Sequence, residues 1–368
     1  MTTTGRQLVS TLSADGTMVL ELQEKTFLDP TGNQVLVKME AAPINPSDLF
    51  LMTTGADLEN ADYQPGKVTM QIAPQVAAGQ AARHGKPQTV GNEGAGEVIA
   101  AGDGEMAQAL LGQRVSCVPG HAFGEYALAD AMMCLPLGDH SSEEGASSFV
   151  NPMTALGFVE TATREGHEAI VHAAAASNLG QMLNRICQED GMGLVNIVRK
   201  EEQAALLTDQ GAAHVVNSSH DDYEEKLAEA IGATGAFLGF DPIGGGQTTD
   251  TCLRAMERVA ARRMTEYSRY GSNQQKKMYI YGRLELAPTV LTPSYGFAWT
   301  VSGWLLLPFL ESSDMQTMMR MRSRVQEGLT TTFASSYKTR VDLEGMLTKD
   351  AMMDYAAMST GEKYLVTP

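Results

Sequence analysis

Cysteine is scarce in this chain of 368 residues, which has only four, at positions 117, 134, 187 and 252. No C-x-x-C pair occurs, so the spacing indicates neither a disulfide framework nor a zinc knuckle. The seven histidines form no cluster with a cysteine at metal-ligand spacing. We therefore expect no metal site, and a chain of this length can bury a large core without metals or disulfides.

Basic residues and long apolar runs are also in short supply. There are 27 lysines and arginines against 44 aspartates and glutamates, for a net charge of -17. Nucleic acid and anionic membranes would be repelled, although a local basic pocket for a small anion is compatible with this balance. The most apolar late stretch, 299–310, is too short and interrupted to span a bilayer. Because the N-terminus also lacks a signal-peptide pattern, we expect a cytoplasmic protein with a small-molecule partner, not a nucleic acid or a membrane.

The first part of the chain has the pattern of short strands. Apolar and polar residues alternate over 18–22 and 35–38, with turn residues between them at 29–33. Similar runs with glycine punctuation continue to residue 128 and predict a small barrel-like β domain. The segment 52–90 is rich in Ala, Gln, Gly and Pro and has little periodicity, so we expect a long irregular excursion there.

Near residue 150 the pattern changes to strands that alternate with helices. The predicted strands are 168–174, 193–198, 214–216, 237–240 and 277–281, and the predicted helices are 154–164, 179–190, 200–210, 222–231 and 248–263. This spacing is typical of βαβ units and predicts a parallel sheet. A helix over 314–327 and a last strand over 364–366 follow.

The turn after the first of these strands has the composition of a phosphate-binding loop. In AIVHAAAASNLGQMLNRICQEDG, residues 169–191, the spacing of Ala174, Ser177 and Gly180 is a degenerate version of the glycine fingerprint of dinucleotide sites. Small residues let the backbone approach a pyrophosphate, and the helix N-terminus offers N–H groups and a favourable dipole. The alternative is an alanine-rich turn that serves packing alone.

The next strand ends in two cations. Arg199 and Lys200 stand about twenty residues after the loop, where a ribose-recognising residue is expected, and two glutamates follow them. An arginine can hold the extra phosphate of NADP through two hydrogen bonds. This favours NADPH over NADH, with a solvated surface pair as the alternative.

Five stretches, in this order, resemble medium-chain dehydrogenase/reductases. They are AAPINPSD (41–48), GNEGAGEV (91–98), NPMTA (151–155), the loop ending at Gly180 and the terminal GEKYLVTP (361–368). The chain is most similar to the zinc-free quinone oxidoreductase branch (ζ-crystallin-like) and to the mitochondrial enoyl-thioester reductases. The resemblance covers nearly the whole chain.

The resemblance implies an α/β protein of two domains. A GroES-like β-rich catalytic domain would occupy residues 1–150 and be completed by 311–368. A Rossmann NADP-binding domain, with a doubly wound parallel sheet, would occupy 151–310. In this family the apolar segment at 301–307 often pairs across a two-fold axis, so the resemblance also implies a homodimer.

The departure from the zinc-dependent relatives indicates the chemistry. Zinc alcohol dehydrogenases of this superfamily place a cysteine where 45–48 stand, His-Glu where Asn92 and Glu93 stand, and a cysteine cluster for a structural zinc. This chain has none of these. Without a Lewis acid an alkoxide would not be stabilised. The resemblance therefore implies hydride delivery to a quinone or an already activated C=C.

The resemblance also implies roles for individual residues. Asn45 would lie beside the nicotinamide and polarise or position the reacting group. The other implied cofactor-binding residues are Thr154 at the nicotinamide, Ser177, Leu179 and Gly180 at the pyrophosphate, Arg199 and Lys200 at the 2′-phosphate, Gly244, Gly245, Tyr281 and Gly282 at the carboxyl edge of the sheet, and Lys363 near the cofactor. The alternatives are a helix cap at 45–48, an ordinary loop at 244–246 and a surface charge at Lys363.

The proton donor is implied least directly. Hydride addition to a conjugated C=C forms an enolate, which needs an acid and an oxyanion partner. Enoyl-thioester reductases use a tyrosine shortly after the NPSD motif, and the first tyrosine here, Tyr63, stands at a longer offset. A second departure is the basic, tyrosine-containing excursion at 262–276, which is either a contact for a substrate tail or neighbouring subunit, or a solvated loop.

Three functions compete. The leading hypothesis is an NADPH-dependent quinone or enone reductase. The first alternative is a 2-enoyl thioester (acyl-CoA) reductase, whose site would have basic residues such as Arg83, His84 and Lys86 at its mouth. The second is a non-catalytic NADPH-binding protein.

Overall fold

The chain is organised as two compact units. In this computed structural model residues 2–360 and 363–368 are described. Unit 1 comprises Met1–Val150 with Arg322–Pro368, and unit 2 comprises Asn151–Met321. Among the described residues, no helix combines the length and apolar character that crossing a bilayer requires.

Unit 1 contains twelve strands and five whole helices in its described part. The strands are β1 Thr3–Leu12, β2 Thr17–Phe27, β3 Gln34–Pro43, β4 Asp62–Gln64, β5 Lys67–Gln71, β6 Gln88–Thr89, β7 Gly94–Ala101, β8 Arg114–Cys117, β9 Tyr126–Asp130, β10 Cys134–Pro136, β17 Thr339–Val341 and β18 Tyr364–Val366. The helices are α1 Pro46–Met52, α2 Pro74–Gly79, α3 Glu105–Leu110, α4 Ser142–Gly145 and α12 Lys349–Ala356, with 3-10 turns at Ala81–Arg83, Ala131–Met133 and Gly345–Leu347.

Two sheets enclose the core of unit 1. One has the order β4-β5-β2-β1-β6, and the other has the order β10-β8-β7-β3-β18-β17 with β9 also paired to β3. Alternate residues such as Leu8, Leu20, Val37 and Val98 point inward and form one apolar cluster. The last strand pairs with β3, so the C-terminal tail completes this sheet.

The predicted irregular excursion at 52–90 is wrong, because this segment contains β4, β5, α2 and β6. The strands have only two to five residues, too few for alternation to show in the sequence. Val68 and Met70 on β5 are nevertheless buried against β2. Pairing with a long neighbouring strand, not local pattern, builds this part of the sheet.

Unit 2 is a parallel sheet flanked by helices, which confirms the predicted α/β organisation. Its strands are β11 Ala169–His172, β12 Gly193–Val198, β13 His214–Asn217, β14 Leu238–Asp241, β15 Lys276–Ile280 and β16 Trp299–Gly303. Its helices are α5 Val150–Arg164, α6 Asn178–Asp190, α7 Glu201–Asp209, α8 Tyr223–Thr234, α9 Thr248–Arg262, α10 Leu306–Glu311 and the first part of α11 Met315–Glu327.

The sheet of unit 2 has the order β13-β12-β11-β14-β15-β16, and every neighbouring pair is parallel. Counted within the unit this is the order 3-2-1-4-5-6 of doubly wound dinucleotide-binding sheets. The chain reverses direction across the sheet between β11 and β14. Ligands of such sheets bind in the crevice at the carboxyl ends of these two strands.

Two predicted boundaries in the second half need correction. The return to the first domain comes at Arg322 and not at residue 311, because Phe309 packs on the ring of Trp304 and Arg320 pairs with Glu160, all within unit 2. The helix α9 ends at Arg262, so 263–275 is a loop.

Candidate functional site

The NPSD motif starts a helix and ties two loops of unit 1 together. Asn45 is the N-cap of α1, with Pro46 in the first turn, so the motif does form a helix cap. One oxygen of Asp48 accepts the N–H of Asn45 at 2.9 Å, and the other accepts the N–H of Asn92 at 2.8 Å. Asp48 thereby connects α1 to the GNEGAGEV loop.

The side chain of Asn45 is held by one end. Its Nδ2 donates to Glu93 at 2.9 Å, while its buried Oδ1 faces the Asp48 N–H in a capping box without forming a hydrogen bond to any described residue. The other oxygen of Glu93 accepts the N–H groups of Phe149 and Val150 at 3.0 and 2.8 Å. A buried acceptor without a partner is costly unless a ligand supplies a donor. The side-chain oxygen Oδ1 of Asn45 is thus available to accept a hydrogen bond from a ligand.

The two carboxyl groups beside Asn45 have unusual proton affinities. Burial raises the pKa of Asp48 to about 7, against the lowering effect of its two backbone hydrogen bonds, and nearby Glu93 raises it further. Burial also raises the pKa of Glu93, opposed chiefly by the Lys363 ammonium. Perturbed carboxyl groups of this kind cluster at functional sites.

Lys363 lies in the same cluster and is half-buried, with its ammonium engaged within unit 1. Its Nζ donates to the hydroxyl of Ser147 at 2.6 Å, and the hydroxyl of Tyr337 donates to the same oxygen at 2.8 Å. Burial lowers the pKa of Lys363 to about 8, opposed by the charges of Glu93 and Asp48. The first two residues of the terminal motif, Gly361 and Glu362, lie outside the described residues.

Tyr63 has a structural partner. It lies on the edge strand β4, packs against the core of unit 1, and donates its hydroxyl to the carbonyl of Leu58 at 2.7 Å. Burial raises its pKa, with further contributions from Glu59 and Asp57. Its role as the proton donor stays a prediction, and its hydroxyl would have to leave the Leu58 carbonyl to fulfil it.

In unit 2 the predicted phosphate loop connects β11 to α6. Ser177 is the N-cap of α6 and accepts the N–H of Gly180 at 3.2 Å, while Leu179 is buried. Ala174 takes a left-handed φ of 50°, a conformation that glycine adopts more readily. A Cβ at Gly180 would lie 2.1 Å from the carbonyl oxygen of Ala175, so only glycine permits this close approach of the first turn of α6 to the loop that precedes it.

The glycines at the carboxyl edge of the sheet are required by close contacts between backbone segments. A Cβ at Gly244 would lie 2.5 Å from the carbonyl of Gly282, and one at Gly282 would lie 2.5 Å from that of Pro242. At Gly245 it would meet the carbonyl of Ala287 at 2.6 Å. These positions therefore let two backbone segments touch, whatever else they contact.

Beside these glycines lies a buried His–Tyr pair. The hydroxyl of Tyr281 is 2.8 Å from Nε2 of His172, at the end of β11, and the two rings stack. Burial lowers the pKa of His172 to about 3 and raises that of Tyr281, so both are neutral. Nδ1 of His172 is buried with no partner among the described residues.

Arg199 and Lys200 follow β12 directly and are exposed. The N–H of Arg199 donates to the side chain of Gln203 at 3.1 Å, and Lys200 is the N-cap of α7. Glu201 turns away from them toward Asn217, at the end of β13, and His220. The two cations thus lie at the carboxyl edge of the sheet, and the adjacent acidic residue is occupied elsewhere.

Two further groups of predicted residues can be placed. Thr154 lies in α5 and is buried. Arg83 points into the first sheet of unit 1, where its guanidinium contacts Ser10 and Met18, and His84 contacts the carbonyl of Ala77. Lys86 donates to the carbonyl of Ala82. Arg83 and His84 are thus occupied by their own unit.

The comparisons with known proteins concern the sequence and the fold. Residues 31–139 match the alcohol dehydrogenase GroES-like domain. The chain is 29% identical to the mitochondrial enoyl-[acyl-carrier-protein] reductase of Bos taurus over 57% of this chain and 52% of that protein. It is 28% identical to a quinone oxidoreductase of Pseudomonas aeruginosa over 48% of this chain and 54% of that protein. The chain thus spans about half the length of these curated relatives.

One solved structure matches almost the whole length of this chain. It is a protein of Mesorhizobium loti described as an NADPH:quinone reductase, with a TM-score of 0.75, 24% identity, and coverage of 99% of this chain and 98% of that one. The chain has the medium-chain dehydrogenase/reductase fold. The resemblance inferred from its motifs is confirmed.

Within the medium-chain fold, sequence reasoning missed several members of the polar cluster. Asp48 and Glu93 stand within motifs but have no predicted role of their own, and Ser147 and Tyr337 belong to no motif. The register of β17 with β18 sets Thr339 opposite Tyr364, which brings Tyr337 and Lys363 to the same end of the sheet. No local signal in the sequence predicts this proximity.

Proposed function

We propose that this medium-chain protein is an NADPH-dependent reductase that delivers hydride, without zinc, to a quinone or an activated C=C of an enone. The observation that carries the proposal is the pyrophosphate loop at the switch point of the sheet, where Gly180 lets α6 approach Ala175. The names of the Bos taurus, Pseudomonas and Mesorhizobium proteins support it.

The residues present fit NADPH. The N-terminus of α6 with Ser177 would hold the pyrophosphate, and Arg199 with Lys200 would hold the 2′-phosphate. Asn45 offers the buried, unpartnered oxygen that a carboxamide or another donor can satisfy. When bound, NADPH supplies the hydride. The protein itself orients the reactants and stabilises the charge that develops on the acceptor.

The donor set explains why zinc is not part of the proposal. The positions that resemble the zinc-binding positions of the alcohol dehydrogenases are Asn45, Asp48, Asn92 and Glu93. Their hydrogen bonds run among themselves, to backbone N–H groups and to the hydroxyl of Ser47. A tetrahedral zinc site prefers cysteine and histidine ligands, which none of these residues supplies.

A 2-enoyl thioester reductase is the second candidate, and the name of the Bos taurus relative favours it. Two observations count against it: Arg83 and His84 are engaged within unit 1, and the Tyr63 hydroxyl is engaged by Leu58. A non-catalytic NADPH-binding protein would retain the loop and the cations without turnover.

The homodimer and the cytoplasmic location belong to this proposal as well. Strand β16 is an edge strand, and Leu305 and Leu307 after it are exposed. An unpaired edge with apolar neighbours suits pairing with a second copy. Light scattering coupled to size exclusion tests this, and a monomer at micromolar concentration would refute it.

The decisive experiment combines cofactor and acceptor choice. NADPH and NADH oxidation is followed with 1,4-benzoquinone, a simple enone and crotonyl-CoA, for the wild type and for Arg199→Ser. Losing a charge-assisted contact of about 1.5–3 kcal/mol should raise KM for NADPH by about 10–100-fold and leave NADH unaffected. Arg262→Ser, an exposed arginine of the same unit, is the control. Turnover with crotonyl-CoA alone would favour the thioester reductase, and NADPH binding without turnover would favour the non-catalytic protein.

A further inference from the structure

Three side chains of unit 1 form a continuous hydrogen-bonded chain. Tyr337 donates to Ser147 at 2.8 Å, and the ammonium of Lys363 donates to the same hydroxyl oxygen at 2.6 Å. The middle member, Ser147, is 1% exposed. Among the residues described, the polar partner of the Lys363 ammonium is thus a hydroxyl and not a carboxylate.

The two ends of this chain have different surroundings. Tyr337 lies near the ion pair of Glu143 on α4 with Arg340 on β17, whose side chains are 42% and 50% exposed. Lys363 lies near Asp48 on α1 and near Glu93, whose carboxylate binds Asn45. Glu93 is close enough to Tyr337 to raise its pKa as well. The chain therefore leads from an exposed ion pair to the polar cluster around Asn45.

Each member can pass a proton on. A serine or tyrosine hydroxyl donates one hydrogen bond and accepts others, so it can release a proton on one side while it receives one on the other. An ammonium has three donors and no acceptor until it loses a proton. The lowered pKa of Lys363, about 8, is close to the operating pH at which a general acid is most effective.

We propose that Lys363 supplies the proton that completes the reduction, and that Ser147 and Tyr337 return a proton to it from solvent. The proposal rests on the proposed function, which leaves an enolate after hydride addition to the β carbon of an enone. An N–H bond of Lys363 breaks, a C–H bond forms at the α carbon of the enolate, and the electron pair stays on Nζ. The Ser147 proton then moves to Nζ, the Tyr337 proton to Ser147, and a proton from water to Tyr337.

This assignment differs from the role predicted for Tyr63. The hydroxyl of Tyr63 donates to a main-chain carbonyl, which has no proton to return. Tyr337 donates to a hydroxyl that itself contacts an ammonium. By this argument Lys363 is the acid, and Ser147 and Tyr337 are positioning residues that act through it.

The first test is kinetic. Ser147→Ala and Tyr337→Phe interrupt the chain, and Ser147→Thr keeps a hydroxyl. With an enone and saturating NADPH, kcat should fall by about tenfold or more in the first two variants, the solvent deuterium isotope effect should rise, and the threonine should restore much of the rate. Ser148→Ala is the matched control, since this buried neighbour has a hydroxyl with no partner among the described residues.

The second test needs no turnover. In protein labelled at the lysine Cε with carbon-13, the Lys363 resonance is identified by its absence in Lys363→Arg and titrated by NMR. It should titrate near pH 8 in the wild type. In Ser147→Ala the pKa should fall, because the hydroxyl that accepts from the ammonium is lost.

The outcomes separate the two proposals. If the wild type reduces none of the acceptors, the proposed function fails and this proposal fails with it. If the wild type is active but Ser147→Ala and Tyr337→Phe keep its kcat and pH profile, only the proton chain is overturned. The proton chain is also overturned if Lys363 titrates at its ordinary pKa or ignores the loss of Ser147.

Discussion

Lys276 in unit 2 is fully buried and Lys363 in unit 1 is half-buried, and the two differ in what their ammonium groups touch. The side chain of Lys276 is fully buried, and its ammonium lies 2.7 Å from Glu257, 3.1 Å from the hydroxyl of Ser272 and 2.7 Å from the carbonyl of Gln274. Its three donors each have an acceptor. Lys363 has one hydroxyl as its polar partner among the described residues. The carboxyl groups of Glu93 and Asp48 act on it from further away.

The difference separates a structural ion pair from a reactive group. An ammonium whose three N–H donors all have acceptors, one of them a carboxylate, forms a structural ion pair. Lys276 and Glu257 also fasten the loop 263–275, because Glu257 accepts the N–H of Ser272 at 2.8 Å. Among the described residues Lys363 has no contacting carboxylate, and its pKa is about 8, so it can lose a proton near neutral pH.

The largest effect should come from breaking the buried pair. Lys276→Met leaves Glu257 buried without its cation and should lower the free energy of unfolding of unit 2 by about 3–5 kcal/mol. Both tryptophans, Trp299 and Trp304, lie in unit 2. Urea unfolding followed by tryptophan fluorescence therefore reports on this unit.

A double variant is the control for that prediction. Lys276→Met with Glu257→Gln removes both charges and should regain a large part of the lost stability, since a neutral pair has no desolvated charge. Additive losses in the double variant would show that packing, and not the ion pair, makes Lys276 structural.

An intermediate effect is expected from the serine that contacts Lys276. Ser272→Ala removes a hydroxyl that donates to Glu257 at 2.5 Å and accepts from Lys276. The loss should be about 1–3 kcal/mol in the same urea experiment, because charged groups lose a hydrogen bond in a buried place. Ser302→Ala, on an exposed serine of the same unit, should change stability by less than about 0.5 kcal/mol. Equal losses of stability in Ser272→Ala and Ser302→Ala would contradict a structural role for the contact between Ser272 and Lys276.

A separate effect on stability should come from Lys363, and it should depend on pH. Because its pKa is about 8 in the folded protein and 10.5 ordinarily, the unfolded chain binds more protons between these values. Stability should therefore rise with pH across about pH 8 to 10.5, with no such contribution below pH 8. Lys363→Met should lose this rise.

The measurement is the difference between the thermal midpoints of wild type and Lys363→Met at a series of pH values. Taking the difference removes the contribution of the buried tyrosines, whose raised pKa values lower stability at high pH. Lys349→Met, which removes an exposed ion pair with Glu59, should run parallel to the wild type. Parallel profiles for Lys363→Met would show that Lys363 is an ordinary surface amine.

Much of the fold was predictable because its signals are local. The strands and helices of unit 2 alternate at the spacing that the sequence shows, and Gly180 lies where α6 closely approaches the loop after β11. The short strands β4 and β5 were missed, since their pairing with β2 carries the information. The end of unit 2 was misplaced for a similar reason, because the contacts of Phe309 and Arg320 are long-range.

By itself the sequence determined the α/β class, the parallel sheet, the tight turn between β11 and α6, the cations after β12 and the absence of cysteine and histidine at the zinc positions. Each of these depends on residue type or spacing along the chain. Only the tertiary structure brought Lys363, Ser147 and Tyr337 together, because strand pairing joins residues that stand 216 and 190 positions apart. It also decided that Tyr63 is bound to Leu58, because hydrogen-bond partners follow from packing.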